Sequence, residues 1–473
     1  MVFDSVSFWL FFAPLLLGWW ALPFRAAKGL ALAGSLAFYG WWNPLYLPLL
    51  VGSAVLDYFV AGRIAATERA STRRAWVSLS LLANLGLLAA FKYTPLLARD
   101  LGPLLGWTPR EGLFDEWVVP VGISFYTFQT LSYTLDVYRR QLTPARSFID
   151  FALYVAFFPQ LVAGPIVRAR SFLPQLERSP RWRGTRFELG LYRCVEGLFL
   201  KMVVADNLAI VVERVYDGNV LAQSTWSAWF GTIAFGAQIF ADFAGYSGIA
   251  IGLAMLMGLR FPENFRAPYI SAGLSEFWTR WHVTLSSWLR DYLYISLGGN
   301  RNGAARTHVN LMLTMLLGGL WHGAAWTFVA WGALHGLGLW VERWLRGPRA
   351  KTSTGRPSGA LGLVRRVAAM AVTFVFVHIT WVFFRAKDFG VARDVLSRLF
   401  TIPWSESAAG VDTSLRFAVL LIPIVLLHAA MLCRDWFGLR TPAWLRGVGA
   451  GLMLAALFIV RRGEARDFVY FQF

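Results

Sequence analysis

Apolar stretches of membrane-crossing length recur from one end of the chain to the other, separated by short charged loops. The first covers residues 8–24. Residues 29–42 and 46–61 form a pair hinged at Asn43 and Pro44, and 76–91, 118–138, 187–211, 226–259, 367–384, 417–432 and 448–460 follow. A helix needs about 20 apolar residues to cross a bilayer. The pattern therefore predicts an all-α, polytopic membrane protein of roughly 10–12 transmembrane helices, with re-entrant or interfacial helices besides. Arg63, Arg69, Arg73 and Arg74 fill one loop and Arg139, Arg140 and Arg146 another, while the loop between them holds Asp100, Asp115 and Glu116. That alternation marks the basic loops as cytoplasmic and puts the N-terminus outside. Residues 1–7 carry Asp4 and no basic residue, unlike a cleaved leader, so 8–24 is read as a retained helix. Residues 151–167 break the alternation, because basic loops flank both ends and Pro159, Gly164 and Pro165 interrupt the run. Two readings stand for this segment: a re-entrant element, or a helix lying on the membrane.

Two histidines change the picture. From 311 to 341 there is no Asp, Glu, Lys or Arg, yet Trp321-His322-Gly323 sits in the middle, with 311–317 and 324–341 as apolar arms. A titratable group at such depth is costly and points to function, and histidine suits general base work near neutrality. Gly318, Gly319 and Gly323 predict a broken helix or a tight helix crossing there. In 275–296, Trp278, Trp281, Leu285, Trp288 and Tyr292 recur at helical spacing, opposite Glu276, Arg280, Thr284, Ser287 and Asp291. This predicts one amphipathic interfacial helix, with His282 on the flank of its apolar face. His282 and His322 lack metal-type spacing, so acid–base and positioning roles are expected and a metal is not. His308, His335, His378 and His428 are read as structural.

Other polar residues lie in apolar runs. Gln238, Asp242, Tyr246 and Ser247 fall in one; Gln129, Tyr133 and Asp136 share a helical face in another. Asp242 must meet a cavity or a partner. The face at 129, 133 and 136 lines a polar tunnel or makes a hydrogen-bonded helix contact. Trp278, Arg280 and Trp321 complete the candidate tunnel or substrate-binding set. There is no nucleophile elbow, no phosphate-binding loop and no cysteine site, which favours direct transfer over a covalent enzyme intermediate.

Composition agrees: 57% of residues are hydrophobic and 15% charged, with 23 Trp and 38 Phe, against about 25% charged in soluble proteins. The net charge of +18 is assigned to cytoplasmic loops and anionic lipid, not to nucleic acid. Cys194 and Cys433 are read as small buried hydrophobes, and residues 348–358 as a polar cytoplasmic linker. No internal repeat supports a secondary transporter.

The blocks PVGISFYTFQTLSYTLDVYRR (120–140), FFPQLVAGPIVR (157–168), QIFADFAGYSGIAIG (238–252), ENFRAPYIS (263–271), EFWTRWHVTLSSWLRDYLYISLGGNR (276–301), GGLWHGAAWTFVAWGALHG (318–336), WVFFRA (381–386) and the ending FVYFQF (468–473) carry a family resemblance. The chain resembles a bacterial membrane-bound O-acyltransferase (MBOAT), most nearly the branch that O-acetylates alginate. Gly248 and Thr279 stand where relatives commonly have Asp and Arg, and both histidines are intact. The resemblance implies one membrane domain over 1–473, with N-terminal helices in 1–117, catalytic core blocks in 118–345, a cytoplasmic linker in 346–366 and C-terminal helices in 367–473. It implies a ring of helices around a central tunnel in the bacterial inner membrane. It makes His322 the principal catalytic histidine and His282 the second. It implies an acyl thioester donor, acetyl-CoA by expectation, with no bound cofactor, and an extracytoplasmic polysaccharide acceptor. A periplasmic esterase-like partner protein is expected as well. Teichoic-acid D-alanylation and acylation of a protein, lipid or small molecule are the sister readings. A transporter or polysaccharide-export component is the non-enzymatic one.

Overall fold

Every regular element among the described residues is helical. The computed structural model describes residues 2–107, 110, 117–162, 164–218, 224–347, 357–401, 408–439 and 441–460, with backbone alone at 408–417. Asp115, Glu116, nearly all of the 348–358 linker and the FVYFQF ending lie outside these residues. Among the described residues, six helical segments are long and apolar enough to cross a membrane: Pro44–Ala66, Ala70–Leu101, Thr225–Leu256, Gly359–Arg385, Ala418–Phe437 and Ala443–Val460. Val6–Ala21 is a shorter apolar helix.

The chain divides into two compact units, Met1–Cys194 with Ser247–Pro262, and Val195–Tyr246 with Glu263–Phe473. The first contains α1 (Val6–Ala21), α2 (Phe24–Trp42), α3 (Leu47–Ala66), α4 (Ala70–Leu101), α5 (Ile123–Tyr138), α6 (Phe148–Ala156), α7 (Phe158–Leu161), α8 (Ala169–Leu176) and most of α9 (Gly184–Leu198). One carboxylate ties three of these helices together. Asp57 of α3 is fully buried and accepts hydrogen bonds from Ser80 and from Asn84 Nδ2 (2.8 Å) of α4, and from Thr134 Oγ1 (3.1 Å) of α5. Without those donors, a charge in such a place would cost far more than the packing returns. In 151–161 the side chains are almost wholly buried. The segment is thus an inner element of this unit, covered by protein, and the reading as a helix lying on the membrane is withdrawn. Pro159 is accommodated because it falls in the first turn of α7, where a missing N–H costs nothing.

The second unit holds α10 (Asp206–Tyr216), most of α11 (Thr225–Leu256), α12 (Leu274–Arg280), α13 (Val283–Trp288), α14 (Gly303–His322), α15 (Trp326–Arg346), α16 (Gly359–Arg385), α17 (Phe389–Leu399), α18 (Ala408–Phe437) and α19 (Ala443–Val460). The apolar run 311–341 is not one crossing. It is a hairpin, since α14 stops at His322 and α15 starts at Trp326. Glycines set the distance between its arms. A Cβ at Gly319 would run into the Phe328 carbonyl oxygen, one at Gly332 into the Met315 carbonyl oxygen, and one at Gly336 would press on Met312. These pairings step in opposite directions along the two helices, so the arms are antiparallel. Small residues that let backbones meet are how helices gain contact where lipid is as apolar as leucine.

The expected single helix over 275–296 is also divided. α12 ends at Arg280, His282 takes the left-handed conformation (φ 40°, ψ 54°), α13 begins at Val283, and a π-helical stretch covers Leu289–Tyr294. Left-handed backbone is strained for a residue with a Cβ, and no Gly or Pro announces it. The expected run 187–211 contains a second π-helical stretch, Phe199–Ala205, between α9 and α10. Cys194 is buried, but Cys433 is exposed, which corrects its reading as a buried hydrophobe. α17, with its N-cap Asp388 accepting from the Val391 N–H, was not expected.

The glycine contacts give a test of the hairpin. Gly332→Ala is expected to destabilise the protein by about 1–3 kcal/mol, the usual cost of overpacking. Gly86→Ala, where the added methyl meets nothing within 4 Å, is expected to be neutral or stabilising. Thermal unfolding of the two variants in detergent, side by side, decides. Equal midpoints would remove the close backbone approach from the account.

Candidate active site

The break at His282 is held open from a segment that precedes it. The Arg266 N–H donates to the Arg280 carbonyl and the Val283 N–H to the Asn264 carbonyl, both at 2.9 Å. The chain over 264–266 therefore supplies the backbone partners that the interrupted helix gives up, as a buried backbone requires. The Asn264 side chain acts on the histidine itself. Its Oδ1 lies 2.9 Å from His282 Nδ1 and also receives the Thr284 hydroxyl at 2.9 Å. Because the Thr284 backbone N–H, which can only donate, points at the same oxygen (3.4 Å), the network assigns the amide orientation and has the imidazole donate from Nδ1. Nε2 is then the basic nitrogen. It is buried and has no hydrogen-bond partner among the described residues. Sequence reasoning singled out His282 but not Asn264, whose only signal was a carboxamide inside the block at 263–271.

His322 is the last residue of α14, followed by Gly323, where a Cβ would run into the Phe328 ring. Its ring stands nearly perpendicular to Trp321 (5.0 Å between centroids) and Trp331 (5.2 Å), and packs on Phe384 at 5.2 Å. Trp321 also reaches the His282 ring, at 6.1 Å, and Phe243 covers His282 from α11 at 4.6 Å. The two histidines thus flank one indole, although forty residues of chain and two helix ends separate them in sequence. The surrounding wall is aromatic: Trp281, Trp331 and Trp381 are all but completely buried, with Trp331 stacked on Trp381 at 5.7 Å. Such a wall keeps water out and strengthens every polar contact inside it.

The remaining candidates separate into those that join this cluster and those that do not. Trp278 meets Trp331 at 5.7 Å, and its buried Nε1 has no hydrogen-bond partner among the described residues. His335, read as structural, also belongs to the wall: it lies 4.8 Å from Trp331 and 5.2 Å from Trp278, and its Nε2 is 3.0 Å from the Thr380 hydroxyl. Arg280 turns to a separate network, where it pairs with Glu276 (3.0 Å) and Asp435 (3.2 Å), while Arg366 takes the same Glu276 at 2.9 Å. Asp242 meets a partner and not an open cavity. Lys201, buried in the π-helical stretch, places its ammonium 3.1 Å from Asp242 and 2.7 Å from Asp206, with the Tyr246 ring at 5.9 Å. His378 and His428 donate from Nδ1 to the carbonyls one turn earlier in their own helices, Phe374 and Ile424.

Gln129, Tyr133, Asp136 and Ser247 belong to the first unit and are all buried. The Tyr133 hydroxyl accepts from the Ala145 N–H at 3.0 Å, and its ring packs on Phe151 at 4.4 Å, so this residue makes a tertiary contact. The Gln129 carboxamide is buried with neither of its polar atoms hydrogen-bonded among the described residues.

Comparison with known proteins bears on what such a cluster does. A family model for the membrane-bound O-acyltransferases matches residues 105–382. A probable alginate O-acetylase of Azotobacter vinelandii is 41% identical over 433 residues, covering 90% of this chain and 84% of that protein. One from Pseudomonas putida is 39% identical over 451 residues, covering 93% and 88%. A peptidoglycan O-acetyltransferase of Helicobacter pylori is 37% identical over 428 residues, covering 84% and 79%. With a family match over more than half its length and these relatives along nearly all of it, the chain belongs to the membrane-bound O-acyltransferase family, as a multi-pass membrane enzyme that transfers acyl groups to hydroxyl oxygen.

Proposed function

We propose that this enzyme moves an acetyl group from a cytoplasmic thioester, acetyl-CoA, to a hydroxyl of an extracytoplasmic polysaccharide, with His322 as the general base. The observation that carries the reading is the pair of buried histidines that both meet the Trp321 ring, one of them oriented by Asn264. In the reaction, His322 takes the proton of the acceptor hydroxyl as that oxygen attacks the thioester carbonyl. The tetrahedral intermediate collapses, the carbon–sulfur bond breaks, and the departing thiolate takes the proton back from His322. His282 offers its Nε2 as a hydrogen-bond acceptor that positions one of the reactants. A base placed in this way contributes about 10²–10⁴ in rate, and exclusion of water limits loss of the thioester to hydrolysis.

Relatives named for alginate and for peptidoglycan acetylation support a polysaccharide acceptor. The basic loops at 63–74 and 139–146 support an inner-membrane orientation with the N-terminus in the periplasm. A periplasmic esterase-like protein is the partner that completes delivery. The Gln129 carboxamide, buried without a hydrogen-bond partner among the described residues, is a candidate for the substrate path.

Three outcomes are expected. His322→Ala lowers acyl transfer by about 10²–10⁴ while the protein still inserts and unfolds at the native temperature; a variant with native activity removes the base assignment. Asn264→Ala slows transfer by releasing the His282 ring. In the His282→Ala background the same change adds little, so rates of the four proteins form a cycle with a large coupling; additive losses would mean that Asn264 does not act through His282. Mass spectrometry of envelope glycans from cells with and without the gene should show loss of O-acetyl groups. An unchanged profile counts against the polysaccharide acceptor.

A further inference from the structure

Between α15 and α16 lies a cavity of about 430 Å³ that the acyl-transfer cluster does not use. Its volume falls within the range of small-molecule pockets, roughly 300–1,000 Å³. Leu274, Gly338 and Phe376 form its inner end, where a Cβ on Gly338 would meet both of the other side chains. The wall along α15 and α16 is apolar, and the side chains at its edge face outward: Leu345 and Val372 are each 70% exposed. Because α16 is long and apolar enough to cross a membrane, the exposure of Val372 on it means contact with lipid tails.

The opposite end is polar and basic. Glu342 lines it, accepts from the Ser275 N–H at 3.0 Å and pairs with Arg346 at 3.2 Å. Arg346 also donates to the Ala272 carbonyl, yet 40% of its side chain remains exposed. Arg365, one turn before the lining residue Ala369 on α16, is exposed as well. The rim thus carries one carboxylate, already engaged, and the exposed Arg346, while the exposed Arg365 lies one turn from the lining along α16. An apolar slot that opens onto lipid, with a net positive rim, matches one class of bilayer component.

We propose that this cavity binds an anionic phospholipid, with an acyl chain between α15 and α16 and the phosphate at Arg346 and Arg365. The cavity lining includes none of His282, Trp321 and His322. Each rim arginine adds the attraction a basic side chain has for an anionic headgroup, and the slot removes chain methylenes from competition with bulk lipid by giving them a fixed wall.

The test uses the full-length protein in mild detergent, stripped of lipid and titrated with phosphatidylglycerol or phosphatidylethanolamine of equal chain length, read by native mass spectrometry. One phosphatidylglycerol should be retained per chain at detergent concentrations that remove phosphatidylethanolamine. Ala369→Phe, which fills the slot, should abolish that adduct, and the smaller plug Ala369→Leu should weaken it in a protein with native unfolding behaviour. Val375→Phe, an equal enlargement on an exposed position of α16 that does not line the cavity, should leave it intact. Arg346→Gln should weaken phosphatidylglycerol about fivefold. No retained lipid, equal retention of the two headgroups, or retention unchanged by both Ala369 variants would overturn the proposal.

Discussion

Two backbone hydrogen bonds, from Arg266 to Arg280 and from Val283 to Asn264, allow a helix to stop at His282. Inside a membrane protein an interrupted helix exposes N–H and C=O groups that water cannot reach, and the penalty is several kcal/mol per group. The segment over 264–266 takes up those groups, so the chain can turn through the left-handed conformation at His282. Once the turn is fixed, the imidazole has one direction to point and one nitrogen to offer. Phe243, Trp321 and the aromatic wall then pack against a ring whose position was settled by the backbone.

The helical pattern was legible because apolar length and basic loops are local properties. Residues 46–61 and 448–460 were placed within a few residues of α3 and α19 for that reason. What escaped depends on partners far along the chain. The break at His282 has no glycine or proline to mark it and is set by Asn264, eighteen residues earlier. The hairpin contacts Gly319 to Phe328 and Gly332 to Met315 are invisible until the arms are folded together. Lys201 carries no such signal in its apolar run, since nothing nearby in sequence announces Asp242 as its counter-ion. Cys433 was misread because a lipid-facing position is as apolar as a core one. The candidate site was legible at His282, His322, Trp321 and Trp278. Asn264 and His335 were not, since their meaning lies in what they touch.

Charge in the two units follows one rule. Asp57 is satisfied by hydroxyl and amide donors, Asp242 by an ammonium, and Glu276 by two guanidinium groups. None is left to titrate against an apolar wall. The buried His282 Nε2, beside Trp321, keeps a lone pair without a hydrogen-bond partner among the described residues.

The hairpin has a consequence for how the gene can change. α14 has 20 residues and ends on His322, so it is a rod of about 30 Å with the histidine at its tip. Adding or removing one residue anywhere along it would move that tip by about 1.5 Å and swing it by about 100°. Away from Gly319 and His322 the apolar positions of α14 can exchange among themselves, but its length acts as a ruler. Insertions and deletions in this stretch should be purged far more strictly than substitutions, and the interval between Gly303 and His322 should be among the least elastic distances in the molecule.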